Sequence, residues 1–410
     1  MPAPGDSVKL TIEKPAAGGR MIARLNGQIV LVGGTIPGEH VTARVERVGK
    51  GVVYADTIGV DTASVDRRTV AADPLCGGCL YAHIGYPRQL EIKAQVIADA
   101  FGRIGRLTLP TTVRVVPSPE DGYRMRARLH VRGRRAGFFR EGTHEMCDVR
   151  QTRQLLPATC DALESFVREL ASLGGDAVRE VELSENVDAS ERAVYADVRA
   201  GLDAGARDRL AAIDGVTGVG PDASVTDRIS VGSAPPVVFR RNVRSFFQGN
   251  RYLLSDLAGH VVGLVPDGTD LLDLYAGSGL FSLTAAAIRQ ARVTAVEGDR
   301  FAAGDLKANA SAYGGVAVHH QPVEEFLERK PKPAQVVVVD PPRTGLSRAA
   351  IDGVIRLGAG RLIYVSCDPA TLARDARRFV DAGYSIERAD AFDLFPNTPH
   401  VETVAVFSLA

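Results

Sequence analysis

The chain has 410 residues, enough for two or three domains, each with a core of its own. Lys plus Arg and Asp plus Glu balance at 49 each, so net charge names no partner and any affinity for nucleic acid must come from local clustering. Five cysteines argue against a disulfide framework, and no uninterrupted apolar run approaches the ~20 residues of a membrane span, so reduced thiols in a cytoplasmic protein with no membrane partner are expected.

The opening "MPAPGDSVKLTIEKPAAGG" has no cationic stretch followed by an apolar core, so no secretory signal is expected. From residue 5 to about 60, "SVKLTIEK", "GRMIARLNGQIVLVGG" and "EHVTARVERVGKGVVYADTIGV" alternate apolar and polar positions with glycines between them, which predicts a small β-barrel or sandwich. A polar linker leads to "CGGC" at 76–79, and "YPRQLEIKAQVIADAFGRIG" then shows helical spacing over 86–105.

Strands return from about 112 to 240, with one helix around 156–173. In "YRMRARLHVRGRR", Arg124, Arg126, Arg128, His130, Arg132 and Arg134 alternate with Tyr123, Met125, Ala127, Leu129 and Val131. A strand's two-residue period puts the cations on one face. No acid occurs between Gly122 and Arg140, and a single-sign row favours phosphate contact over a solvated face, which usually mixes signs.

After about 245 the pattern changes to four apolar runs, "TDLLDLYAGSG", "ARVTAVEGD", "PAQVVVVDPPR" and "GRLIYVSCDP", separated by helical stretches. Two closing strands follow near 384–389 and 401–408. The fold class is therefore α/β: a doubly wound, Rossmann-like parallel sheet behind a β-rich front half. Asp273 sits in a strand ending in a glycine-rich turn that opens a helix, and Glu297, 24 residues on, ends the next strand, where an acid can bind two ribose hydroxyls. The third glycine of a dinucleotide site is absent, Ser282 standing in its place. "DPPR" at 340–343 makes a rigid acidic loop at a strand's C-terminal end, an architecture shared by enzymes that use an adenosine methyl donor.

Cys367 follows an apolar strand and precedes "DPATLARD", with Asp368 as N-cap and Pro369 at the first helical position. The positive end of that helix is expected to lower the thiol's pKa. Carbon 5 of a pyrimidine is a poor nucleophile, and a thiolate added at carbon 6 would make it attack a sulfonium methyl. A carboxylate must then take the carbon 5 proton. Glu402, opening the last strand, is available for that task.

"DLYAGSG", "DPPRTGL", "YVSCDPATLARD" and "FPNTPHVETV", in this order, resemble the RNA (uracil-5-)-methyltransferase family over essentially the whole chain. The resemblance implies S-adenosylmethionine as donor, Cys367 as nucleophile and Glu402 as base. It implies donor contacts from Gln248, Tyr275, Glu297 and Asp340, and base stacking by Phe246 beside Arg124, Arg126 and Arg128. A ribosomal or transfer RNA substrate, bound by a monomer, is therefore expected, with an extruded base because the target atom must leave the stack. Leu280, Pro322 and Asp368 stand where the family pattern often has other residues.

Residues 1–60 resemble the TRAM domain, an RNA-binding barrel, with "PGE" as its most specific turn; 61–244 then form a central β-rich domain, and 245–410 the methyltransferase domain. Cys76, Cys79 and Cys147 match three of the four cysteines that hold a [4Fe-4S] cluster in many members. The pattern expects a fourth six residues before Cys76, where this chain has Val70; Cys160 or Asp73 are the stand-ins, and loss of the cluster is the alternative. Two other functions share parts of this pattern. One is a non-catalytic RNA-folding factor, against which the thiol and Glu402 argue. The other is a 5-methylcytosine enzyme, which usually carries a second cysteine beside the proline of the acid loop.

Overall fold

The computed structural model describes residues 2–70, 73–174, 178–198 and 203–409. The front of the chain is a closed barrel of β1 (Ser7–Pro15), β2 (Met21–Leu25), β3 (Gln28–Gly33), β4 (His40–Gly49) and β5 (Val52–Thr62), in the order β1-β2-β3-β5-β4. Its alternation is the cause: Leu10, Ile12, Met21, Ala23, Val30, Val32, Val41, Ala43, Val45, Val53 and Ala55 all point inward and are buried.

Helix α1 (Tyr86–Ala100) runs into a wider turn over 101–105, and β6 (Val115–Val116) follows. A mixed sheet is then built by β7 (Arg126–Arg132), β8 (Arg135–Phe139), β9 (Met146–Asp148), β10 (Glu180–Glu185), β11 (Arg192–Ala196) and β12 (Gly218–Val219). It is backed by α2 (Pro157–Ser172) and α3 (Ala204–Ala211). A hairpin of β13 (Ser224–Ile229) and β14 (Val237–Asn242) leads to α4 (Leu254–Gly263).

The rest alternates strand and helix: β15 (Asp270–Leu274), α5 (Leu280–Arg289), β16 (Arg292–Glu297), α6 (Arg300–Ala310), β17 (Val316–His320), α7 (Val323–Glu328), β18 (Val336–Val339), α8 (Arg348–Leu357), β19 (Arg361–Ser366) and α9 (Pro369–Asp381), then β20 (Tyr384–Phe392) and β21 (Glu402–Leu409). Among the described residues the sheet order is β17-β16-β15-β18-β19-β21-β20-β6. β15 to β19 pair in parallel, whereas β21 runs antiparallel to β19. Val336, Val337, Val338 and Val339 are all buried, as a parallel strand covered on both faces requires. β17, "VAVHH", was not among the expected runs; as the sheet's edge it keeps both histidines exposed and reads as polar.

The chain leaves β15 in one direction along the sheet and returns on its other side at β18, so the carboxyl ends of these two strands flank a topological switch point. Two buried ion pairs and a carboxylate clasp fix neighbouring segments. Arg251 reaches Glu185 and the Gly122 carbonyl (2.9 Å), while Asp305 accepts from the Asn242 N–H (2.7 Å) and from Ser245, which fixes the loop carrying Phe246 and Gln248. Lys93 on α1 pairs with Asp393 at 2.5 Å, both sealed from solvent, and also donates to the Phe395 carbonyl at 3.2 Å, which fixes the segment between β20 and β21. No helix of the described residues is long and apolar enough to cross a membrane.

Candidate active site

A cavity of about 490 Å³ opens at the switch point. Its donor-type side is made by the turn after β15. Asp273 is buried, and its Oδ2 accepts from Ser282 Oγ at 2.5 Å while its Oδ1 has no partner. Burial, with the charge of Glu297 behind it, pushes its carboxyl up to about 7. Tyr275 takes the left-handed backbone region at φ 62°, uncommon outside glycine and a sign of strain held at a site. Gly279 must be glycine: at φ 98° a Cβ would stand 2.7 Å from Leu306 Cδ1. Both oxygens of Glu297 accept backbone N–H groups, from Gly277 at 2.7 Å and Asp299 at 2.6 Å, so the acid at the end of β16 is rigidly presented.

From β18, Asp340 enters the cavity and accepts from Gln248 Nε2 at 3.2 Å; burial, then the neighbouring Asp273, pushes it up to about 7. Phe246 is 57 % exposed at the mouth, with the Arg126 guanidinium 5.9 Å from its ring. The cavity thus gathers Phe246, Gln248, Tyr275, Glu297, Asp340, Cys367 and Glu402, every donor-site and reacting residue expected from the sequence.

Strand pairing is what unites the last two. β19 and β21 run antiparallel with Ser366 opposite Thr403, so Cys367 and Glu402 occupy the next facing positions, 35 residues apart in the chain yet on adjacent strand ends. Cys367 is half-buried and Glu402 buried, with Glu402 Oε1 lacking a hydrogen-bond partner. Asp368 caps α9 through the Thr371 N–H at 2.8 Å, as expected. The expected acidic shift of the thiol does not follow. Burial first, then the Glu402 charge, push Cys367 up to about 12, outweighing the helix end. Glu402 in turn is held well above the carboxylate range by burial and by Asp340.

Residues that the sequence did not single out for the site also line it, among them Phe395, Phe281 and Arg343. Phe395 lies within "FPNTPHVETV" and Arg343 within "DPPR", so the motifs contained them, but nothing in spacing alone set them apart.

The cationic row needs correction. Its alternation holds, since Tyr123, Met125, Ala127, Leu129 and Val131 are buried. But β10 lies antiparallel to β7 and brings acids across: Arg126 pairs with Glu182 at 3.5 Å, Arg128 with Glu180, and His130 with Glu180 at 3.3 Å. Arg124 turns inward, donating to Gln154 Oε1 at 2.8 Å and lying over the rings of Phe138 and Phe395. Among the described residues, the exposed cations of this stretch without a carboxylate partner are Arg132, Arg134 and Arg135, at the β7–β8 turn, while Arg124 also lacks one but is turned inward.

The cysteine-rich segment does not fit a four-thiolate cluster. Cys76, Cys79 and Cys147 do come together, but Cys76 and Cys147 are joined as a disulfide and Val70 packs where a fourth ligand is expected. Asp73 is committed elsewhere, capping the Leu75 N–H at 3.0 Å and pairing with Arg140 at 2.7 Å. Cys160 lies in the separate core under α2. Among the described residues no group of three or more His, Cys, Asp or Glu is placed to hold a metal ion.

Comparison with known proteins bears on the fold and the family. The sequence profile of the tRNA (Uracil-5-)-methyltransferase family matches residues 330–408, that of the TRAM domain residues 3–58, and that of Conserved hypothetical protein 95 residues 261–368. The crystal structure of Pyrococcus abyssi tRNA (uracil-54, C5)-methyltransferase in complex with S-adenosyl-L-homocysteine superposes with a TM-score of 0.76, over 97 % of this chain and 99 % of that one, at 24 % identity, which establishes the fold. The 23S rRNA (uracil(1939)-C(5))-methyltransferase RlmD of Methylococcus capsulatus is 31 % identical over 99 % of this chain and 98 % of its own. That of Pseudomonas entomophila is 33 % identical over 98 % of this chain and 94 % of its own. With its motifs, its cavity and both terminal regions accounted for, the chain belongs to the RNA (uracil-5-)-methyltransferase family, enzymes that methylate carbon 5 of a uridine in RNA.

Proposed function

We propose that this enzyme methylates a uridine of ribosomal rather than transfer RNA, in the cytoplasm, with S-adenosylmethionine as donor and through a covalent adduct between Cys367 and carbon 6. The carrying observation is the β19–β21 register, which sets the thiol beside the carboxylate in one cavity with Asp340. The choice of ribosomal RNA is supported by relatives named for 23S rRNA that align over nearly the full length.

When bound, the donor supplies an electrophilic methyl on a sulfonium. Glu297, rigid at the end of β16, suits its ribose hydroxyls; Tyr275, Gln248 and Asp340 surround the rest. Cys367 adds to carbon 6, and the electron pair of the carbon 5–carbon 6 bond passes into an enolate ending at O4. Carbon 5 attacks the methyl, and the donor leaves as the neutral thioether. Glu402 takes the carbon 5 proton, the sulfur–carbon 6 bond breaks with its pair returning to sulfur, and 5-methyluridine is released. Release of tritium from [5-³H]uridine RNA with added donor tests the reaction; none by the intact protein favours the non-catalytic alternative.

Three further results are expected. The donor is cationic, and Asp340, which lines the cavity, sits near pH 7 when the donor is absent. Ionised carboxylates hold a cation and protonated ones do not, so donor affinity rises with pH, by roughly tenfold between pH 6 and pH 8. Calorimetric titration at the two values checks this, and a flat profile counts against Asp340 as a donor contact. Phe246→Ala weakens RNA binding by about 5- to 150-fold, the range for loss of one stacked base, with donor affinity unchanged. Arg134→Glu with Arg135→Glu weakens RNA binding more than Arg128→Glu does, because Arg128 is already neutralised by Glu180. Filter binding over a salt series distinguishes the two outcomes.

A further inference from the structure

The sheet of β7 to β12 has two unlike faces. Ala127, Leu129, Val131, Val181 and Leu183 close one of them under α2. The two-residue period of a strand puts Arg128, His130 and Arg132 of β7 on the other face, with Phe139 of β8, and all four stay exposed or half-buried. His130 lies opposite Gly137, and with no side chain at that position the Phe139 ring reaches diagonally across the strand pair. The two rings stack, with centroids 3.6 Å apart and planes 5° from parallel. Among the described residues, Phe138 packs against the core under α2, whereas Phe139 joins no apolar core. Core packing therefore does not account for the stack.

Charge varies along the same face. Glu182 pairs with Arg126, and Glu180 with Arg128 and His130, so the middle is close to neutral. Unpaired cations stand at both ends. Arg132, Arg134 and Arg135 mark the β7–β8 turn. At the other end Arg244, with no carboxylate partner among the described residues, lies over the rings of Tyr195 and Phe301, 4.7 and 4.4 Å from their centroids. Arg126 donates to the Arg244 carbonyl at 3.3 Å and stands 5.9 Å from the Phe246 ring, so this end adjoins the cavity mouth. Free guanidinium groups meet phosphates, and a ring meets a base. Paired carboxylates beneath would repel a phosphate but not a base. His130 is four positions along β7 from Arg126, about 13 Å at a strand's rise, which is out of reach of a base inside the cavity but not of its neighbours on one strand.

We propose that the His130–Phe139 stack is a second base-binding subsite: it takes an unpaired base flanking the target uridine in the same RNA, while Arg244 and the arginines of the β7–β8 turn hold the phosphates on either side. The inference rests on the RNA substrate and on Phe246 stacking the target base, but not on the covalent step. The flanking base must be unpaired, because only an unstacked base offers its face to a side chain.

The test is equilibrium binding of oligouridylates lengthened one nucleotide at a time, each ending in fluorescent 2-aminopurine, to the full-length chain. For the parent, affinity steps up and the terminal fluorescence is quenched at the length that reaches the stack. Phe139→Leu removes the step, a loss of about 5- to 150-fold for the longer chains, and leaves the shortest chains and the donor Kd unchanged. His130→Leu gives the same signature, and Phe139→Tyr, which can still stack, keeps the step. The salt dependence is unaltered in Phe139→Leu but shallower by about one contact in Arg244→Met. A parent whose affinity does not step with length overturns the inference. So does a loss in Phe139→Leu that is equally large for the shortest chains, since the ring would then be supporting the fold. Tritium release is read alongside: a parent that shows the step but releases no tritium keeps this subsite and loses the methylation reading.

Discussion

Cys367→Ala loses methyl transfer by on the order of 10⁴-fold or more, while its donor Kd stays within about twofold of the parent enzyme. The separation follows from where the groups come from. Asp273, Tyr275 and Glu297 sit on β15, β16 and the turn between them, held by contacts that do not involve the thiol: Ser282 to Asp273, and Gly277 and Asp299 to Glu297. Cys367 enters from β19, on the far side of β18. Alanine removes one half-buried sulfur and leaves the cap of α9, which Asp368 supplies, in place. Without the sulfur, carbon 5 of uracil has no route to enolate character, so aligning the donor achieves little. Single-turnover assay with labelled RNA, alongside calorimetry of donor binding, reads the two quantities separately. Appreciable methylation by the variant removes the nucleophile assignment; a lost donor site shows that residue 367 shapes the pocket rather than reacting in it.

What could be read in advance follows from which forces are local. β15, β16, β18 and β19 announce themselves because strands buried on both faces read as continuous apolar runs, with "VVVV" the extreme case. The barrel is equally plain, because its one-sided burial imposes strict alternation. Cys367 and Glu402 were legible as residue types near strand ends and through resemblance; their adjacency depends on β21 running antiparallel beside β19, a pairing no local pattern encodes. The two misreadings share that origin. The Arg124–Arg134 stretch has no acid of its own, but Glu180 and Glu182 arrive from β10, more than fifty residues downstream. The helix behind the thiol is a local effect that favours a lowered pKa, whereas burial and Glu402, both products of tertiary packing, decide the sign.

Glu402→Gln converts the enzyme from a catalyst into a trap. Glutamine keeps the shape and the hydrogen-bonding reach of glutamate but cannot take a proton, so addition and methyl transfer proceed and elimination does not. The expected product is a protein–RNA adduct that survives denaturation, seen as a gel shift that requires Cys367 and persists after the parent enzyme has turned over. The substitution should also be tolerated by the fold, and the sign can be worked out. Glu402 is buried, its Oε1 has no partner, and its folded pKa lies well above that of the unfolded chain. As pH rises above about 4.5, the unfolded state gains free energy by ionising this carboxyl while the folded state holds it protonated, so the parent loses stability until its folded pKa is passed. Glutamine has no such dependence. The melting temperature of Glu402→Gln should therefore exceed that of the parent by a margin that widens as pH rises above about 4.5. A variant that is less stable throughout, and yields only free RNA, would mean that the carboxylate holds the pocket together and that another group takes the carbon 5 proton.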